Sequence, residues 1–441
     1  MSAQKKKIVI RGPILTRSGY GEQTRFAYRS LRSRPDLFEV YLLPTGWGNT
    51  SWITDDTPER KEIDNLIANT SNYIRNCQQN GLNPFDASIQ VTIPQEWEKI
   101  CPKNIGYTAG TETTAISFKW VESCKNVDKI IAVSNHTKNG FVNTVYEGQD
   151  STTGNTVQAK CDVPVDVVSF PAKLVEPEQL DFDPETKFNF LVVAQWSERK
   201  NMATTIQGFL RQFNDNPEVG LIIKTNLAKN CLLDREACAV RLKQYLTRYD
   251  KAPVNGNPRQ CKVYLLHGGI TDEQMHGLYR HPKVKALVNL AHGEGFGLPM
   301  FEAAQAGLPI LAPNWGGQKD YMNARIATTK KVGRKKSKKT HARLKFYGTA
   351  VDYEVGKIQE SAVWKDVLIA ESSWCYPNEK RYMAALKRLY TNYNRVTEDA
   401  QTLKKHIEEN FSEEKQQEAF IKSVTDTLEA NASQPTSVVS L

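Results

Sequence analysis

No run among the chain's 441 residues is apolar over the about 20 positions that a bilayer-crossing helix needs, so a spanning helix is not expected. The basic start, Met1–Lys7, leads directly into a strand-like segment at Ile8–Ile10, without the apolar core or cleavage site of a signal peptide. A cytoplasmic protein is therefore expected, one that meets a membrane only peripherally, at its surface. Eight cysteines, at 77, 101, 124, 161, 231, 238, 261 and 375, form no CxxC pair with a matching partner. That spacing predicts reduced thiols and argues against a disulfide frame or a zinc site. With 26 Gly and 20 Pro the chain is not of low complexity. The glycines after the first strand, in Gly12–Gly21, lack the G-x-G-x-x-G spacing, which removes a dinucleotide-binding reading.

What is present is an alternation of short apolar runs and amphipathic stretches. Strands are expected at 7–11, 39–43, 88–92, 104–107, 129–133 and 165–169, with helices at 21–32, 58–69 and 118–125 between them. The second half repeats the rhythm, with strands at 188–194, 220–224, 262–266, 286–290 and 309–312 and helices at 202–214, 234–249, 271–279 and 299–306. Continuous apolar strands separated by helices signal parallel sheets covered on both faces. The fold class expected is α/β, with two Rossmann-like domains facing each other across a cleft. The first domain is placed at 1–170, a Pro-rich acidic linker at 171–186 and the second domain at 187–410. Helices are expected over 379–394 and 398–428, the last of them (411–431) packing back on the first domain. A disordered tail is expected at 432–441.

The informative segment is Ala291–Gly317, AHGEGFGLPMFEAAQAGLPILAPNWGG. A Gly-rich loop follows a buried strand, where open α/β sheets bind ligands. Pro299 suits the start of a helix and Gly307 the residue just past its end. The amides of Gly295, Phe296, Gly297 and Leu298 then lie at a helix N-terminus, a natural anion site. Two acids flank it eight residues apart, Glu294 in the loop and Glu302 in the first helical turn. An ionised carboxylate accepts hydrogen bonds from paired hydroxyls, so one acid could bind a ribose and the other a sugar ring. Glu302 could equally serve only the helix dipole.

GEGFGLPMFEAAQAGLPI resembles the donor-site signature of glycosyltransferase family 4, the retaining enzymes of GT-B fold. The likeness continues in His267-Gly268-Gly269 with Thr271–Tyr279, in Asn314–Asp320, and in Trp120–Ser134. The resemblance implies that Glu302 binds the donor ribose, Glu294 the donor sugar, and Gly295–Leu298 the sugar and diphosphate. It implies a UDP- or GDP-sugar donor and no required metal; no D-x-D pair stands in a donor loop, and Asp55–Asp56 reads as a helix entry. Lys200 matches a family lysine that clasps the diphosphate. The usual arginine after the strand is replaced by Gln195 and Trp196, leaving Arg199 to supply the charge. Gly19, Gly21 and Gly269 are the further donor-side candidates, with plain turn glycines as the alternative for the first two. On the acceptor side no counterpart of a family histidine stands out, and Glu112 is the nearest ionisable group.

The net charge of +9 is concentrated in part in Lys330–Lys345. Such a run repels itself and should be a solvated loop. Its candidate partners are anionic: nucleic acid, an acidic glycan or a lipid surface. The readings carried forward are a glycosyltransferase acting on a glycan, lipid or other polymer, the same chemistry on a polyanion such as DNA, a nucleotide-sugar epimerase of the same fold, and a basic nucleic-acid-binding protein. Against the last, no helix-turn-helix, zinc or aromatic stacking motif is present.

Overall fold

The computed structural model describes residues 4–149, 155–251, 256–325, 328–330, 339–341 and 344–430. Most of the basic run 330–345 and the tail 432–441 lie outside the described residues. None of the described helices is long and apolar enough to cross a membrane.

The first sheet consists of β1 (Lys6–Gly12), β2 (Phe38–Pro44), β3 (Ala87–Val91), β4 (Lys103–Thr108), β5 (Lys129–Ala132) and β6 (Val165–Val167). The strands run parallel in the order β2-β1-β3-β4-β5-β6. Helices α1 (Gly19–Arg32), α2 (Pro58–Gln79), α3 (Phe118–Ser123) and α4 (Asn135–Asn143) connect them. Ser18, Thr57, Ser117 and Ser134 cap these helices by accepting a first-turn amide. Every residue of β3 and β5 is buried, as strands sandwiched between helix layers must be.

The second sheet consists of β7 (Phe188–Val193), β8 (Val219–Lys224), β9 (Lys262–Leu266), β10 (Val284–Val288), β11 (Ile310–Pro313) and β12 (Thr349–Val351), also parallel, in the order β9-β8-β7-β10-β11-β12. Its helices are α5 (Met202–Phe213), α6 (Leu232–Lys251), α7 (Asp272–Tyr279), α8 (Leu298–Gln305) and the single turn α9 (Lys319–Met322). The α/β class with two Rossmann-like sheets is thus as expected.

Three features differ from the expectation. The sixth strand, β12, was not foreseen: three residues are too few for a periodic signal, and β12 is specified by its pairing with β11. Antiparallel hairpins pair Val145–Gln149 with Thr156–Lys160 and Tyr353–Lys357 with Ser373–Pro377. The C-terminal helical region divides into α10 (Glu379–Thr391), α11 (Tyr393–Asn410) and α12 (Glu413–Glu429). The break at 411–412 is tertiary in origin. Phe411 is drawn in against Phe301 and Tyr321, and Ser412 restarts the chain as the cap of α12.

Helix α11 lies against α8 of the second half, whereas α12 lies against α1 and β4 of the first. Phe420 is fully buried between Phe26 and Tyr107, and Ser423 donates to Asp166. The chain therefore passes between halves twice. The two passages lie side by side, joined where the amide of Ala172 donates to the carbonyl of Phe411 at 2.7 Å.

Candidate functional site

In the second sheet the strand order turns back between β7 and β10. Loops leaving the carboxyl ends of those two strands diverge and open a crevice, the place where such sheets bind ligands. The turn Glu198–Lys200 follows β7 and presents Arg199 and Lys200; the Gly-rich loop follows β10 and presents Glu294. The amide of His292 donates to the carbonyl of Arg199 at 2.9 Å and ties the loops together. Lys200 reaches Glu294 at 2.5 Å, Arg199 reaches the other carboxylate oxygen at 3.6 Å, and Asn289 donates to Glu294 at 2.9 Å. Arg199 also pairs with Glu112 of the first half at 2.7 Å. The structure thus brings Arg199, Lys200, Glu294 and Glu112 into one half-buried cluster of two acids and two bases. Burial opposes ionisation of Glu294, but Lys200 and Arg199 overcome it and hold its carboxyl below the usual range. Burial and then Arg199 weaken the Lys200 ammonium's hold on its proton.

Helix α8 begins at Leu298, so Pro299 occupies its second position instead of the first, with Gly297 as the N-cap at φ +88°. Only glycine takes that left-handed conformation without strain. Among the described residues no acceptor takes up the amides of Gly295, Phe296 and Gly297. Phe296 itself packs inward against Phe170, Phe301 and Tyr321. The first half abuts this loop closely. A Cβ on Gly293 or Gly295 would come within 2.5 Å of the carbonyl oxygens of Glu112 and Ala109 respectively. Ser134 donates to the carbonyl of Gly295 at 2.6 Å, and Asp320 accepts the amide of Asn135 at 2.7 Å, at the N-terminus of α4.

Among the described residues Glu302 is not hydrogen-bonded or ion-paired to that cluster. It is the fifth residue of α8, and no acid stands in that helix's first turn, so the first-turn placement is corrected and the dipole role goes with it. It accepts a hydrogen bond from Tyr279 at 3.1 Å and lines a small pocket with Glu22, Phe170, Lys173, Asp272, His276 and Leu298. Burial, and then Asp272, raise its carboxyl to about 7. Lys173 prefers Glu22, 2.7 Å away, and Asp272, at 3.5 Å. Although burial opposes it, Lys173 together with Arg25 and Arg29 draws Glu22 down to about 2.

Gly21 lies within α1, and a Cβ there would sit 2.1 Å from the carbonyl of Thr16. A local turn therefore accounts for that glycine. Gly19 borders open space, and Gly269 is exposed with only Asn230 nearby. Asp234, Cys238 and His267 form the one described grouping that could hold a metal. The carboxylate of Asp234 is already taken by the amides of Leu227, Ala228 and Lys229 and by His267 at 2.8 Å, which leaves it little capacity for an ion. Sequence reasoning passed over Glu22, Lys173, Asn289, Tyr279 and His136. Asn289, at the strand exit, and Glu22, in the turn after the Gly loop, were findable by position; Lys173 carries no pattern. His136 lies against Trp315 across the cleft with its Nε2 buried and unpartnered, and burial lowers it to about 4.

No family model matches the chain, and no curated protein does. Solved structures do. Sucrose-phosphate synthase from Thermosynechococcus elongatus superposes with a TM-score of 0.58 at 11% identity, over 96% of this chain and 99% of that one. An E. coli trehalose-6-phosphate structure bound with UDP-2-fluoro glucose gives 0.55 at 9% identity, over 96% and 99%. Anabaena HepE in complex with UDP and glucose gives 0.54 at 12% identity, over 96% and 100%. At these identities the likeness is one of fold, and it extends over nearly the whole chain.

Proposed function

We propose that this chain transfers a glycosyl group from a nucleoside-diphosphate sugar to an acceptor hydroxyl, with retention of anomeric configuration, as in the family its Gly-rich motif resembles. One observation carries the reading: a cationic pair meets Glu294 at the turning point of the second sheet, in a loop whose next three amides have no acceptor among the described residues. Anions bind where unpaired N–H groups and positive charge coincide. The reaction breaks the bond between the anomeric carbon and the diphosphate oxygen and forms one to the acceptor oxygen. Negative charge grows on the departing diphosphate, and Lys200, Arg199 and the Gly295–Leu298 amides are placed to stabilise it. Glu294 takes hydroxyls of the donor sugar once the nucleotide draws Lys200 and Arg199 toward phosphate. The acceptor's proton passes to the departing phosphate oxygen, so no covalent nucleophile is needed.

In this reading residues 187–410 hold the donor and 1–170 the acceptor, with Glu112 on the acceptor side. Glu302, in its partly apolar cavity, holds the ribose hydroxyls. UDP is favoured over GDP because two of the superposed proteins hold UDP or a UDP sugar. Thermal shift against UDP, GDP, ADP and their sugars tests the donor, since a ligand bound only by the native state raises the melting temperature. Proton NMR of the first product distinguishes retention from inversion and transfer from isomerisation. Absence of any shift with all three nucleotides and their sugars refutes the proposal.

A further inference from the structure

Two cysteines far apart in sequence meet at the base of a hairpin in the first half. Cys124 caps the C-terminus of α3 and is 3% exposed, its Sγ 3.3 Å from the carbonyl of Trp120. Cys161 follows Thr156–Lys160, the second strand of the hairpin, and is half-buried, its Sγ 3.7 Å from the carbonyl of Val163. Helix α3 packs on that strand. Tyr146, from the first strand, crosses Phe118 at 90° and donates to the carbonyl of Ile116 at 2.7 Å. This packing sets the two thiols against each other, and a hydrogen bond joins them. Cys124 is the donor: its S–H steadies the Cys161 thiolate and, outweighing burial, lowers Cys161, while the same contact and then burial raise Cys124. Both thiols are free.

A partly exposed thiol with a neighbour that favours its thiolate is the one that oxidants reach, and a buried thiol beside it is placed to resolve the product. We propose that Cys124 and Cys161 are a redox-responsive pair, which a hydroperoxide converts to a disulfide that fastens the hairpin to α3. The Cys161 thiolate attacks the outer oxygen of the hydroperoxide and breaks the O–O bond. The inner oxygen leaves as the alcohol, and Cys161 becomes a sulfenic acid. Cys124 then attacks that sulfur, and the hydroxyl departs as water with the Cys124 proton. In sum, two thiols and one hydroperoxide give a disulfide, an alcohol and water, and two electrons pass from sulfur to oxygen. A dithiol reductant returns both thiols by exchange. The bond bears on the contact between the halves as well, because Ser117, the cap of the same helix, donates to the carbonyl of Asp366 in the second half at 2.7 Å.

The test treats the full chain with hydrogen peroxide, blocks the remaining thiols and maps tryptic peptides by mass spectrometry. Cleavage after Lys119, Lys125, Lys160 and Lys173 places Cys124 in Trp120–Lys125 and Cys161 in Cys161–Lys173. The two peptides should appear linked, lighter by two hydrogens than their sum, and dithiothreitol should separate them. C124S and C161S should each lose the link. In C124S the Cys161 sulfenic acid has no resolving thiol and should be trapped by dimedone. Amide exchange across 145–149 and 156–160 should slow by about 10-fold or more when the wild type is oxidised, and stay unchanged in C124S, since a covalent loop closure opposes local opening. Peroxide that oxidises the exposed Cys231 but leaves Cys124 and Cys161 unlinked overturns the pair. No dimedone on Cys161 in C124S overturns the order of attack, and a link that leaves hairpin exchange unchanged overturns the fastening.

Discussion

Replacing Glu302 with Gln should stabilise the protein by an amount that grows as pH rises above about 4.5 and is full above about 7. The carboxyl has an ordinary value of 4.5 and is held at about 7 in the fold by burial and by Asp272. Between those values the folded state keeps a proton that the unfolded chain releases. Stability therefore falls as pH rises from about 4.5 and levels off above about 7. At about 1.4 kcal/mol per pH unit the full displacement amounts to about 3 kcal/mol, and water reaching the cavity brings this to about 1–3 kcal/mol. Glutamine has the shape of the protonated acid and can still accept from Tyr279, so E302Q escapes the loss. Relative to wild type it should be unchanged at pH 4.5 and more stable at pH 8, by about 1–3 °C in melting temperature for a chain of this length. Differential scanning calorimetry at both values measures this. The same variant should bind UDP more weakly, as expected where a site residue is retained at a cost in stability. Equal melting of the two proteins at pH 8, or an equal gain at pH 4.5, refutes the assignment of the strain to this carboxyl.

Other outcomes follow from the geometry. Lys200→Met and Glu294→Ala should each lower transfer by about 10²-fold or more in folded protein, the loss typical of removing a charge-stabilising group; initial rates with a donor identified by thermal shift measure it. Gly295→Ala places a Cβ 2.5 Å from the carbonyl of Ala109. It should therefore hinder closure, lowering kcat in those initial rates while calorimetric donor affinity changes much less. Phe420→Ala empties a fully buried site between Phe26 and Tyr107 and should cost about 3–5 kcal/mol in urea unfolding.

Much of the fold was legible because its strands are read by local pattern. Eleven of the twelve sheet strands announce themselves as apolar runs between helical stretches. What escaped depends on partners distant in sequence. β12 exists because β11 offers it an edge, and the break at Phe411 exists because Phe301 and Tyr321 offer it a slot. The site divides along the same line. Glu294, Lys200 and Arg199 were recognisable from a motif and from position after a strand. That Glu302 would share a pocket with Lys173, Glu22 and Asp272 depends on how the linker crosses α7 and α8. Spacing along the chain carries no record of it.

The paired passages at Ala172 and Phe411 bear on how the molecule can move. A single tether would let one lobe swivel freely about the other. Two segments fastened side by side act as a strap, which flexes about its own line but resists sliding and twisting. Motion is thereby confined to an opening and shutting of jaws, and each stroke returns the same side chains to register. A nick at 411–412 leaves the lobes covalently joined through 171–186, whereas a nick within 171–186 leaves residues 1–170 held only by non-covalent packing, that of α12 included; either cut frees the degrees of freedom that the strap suppresses.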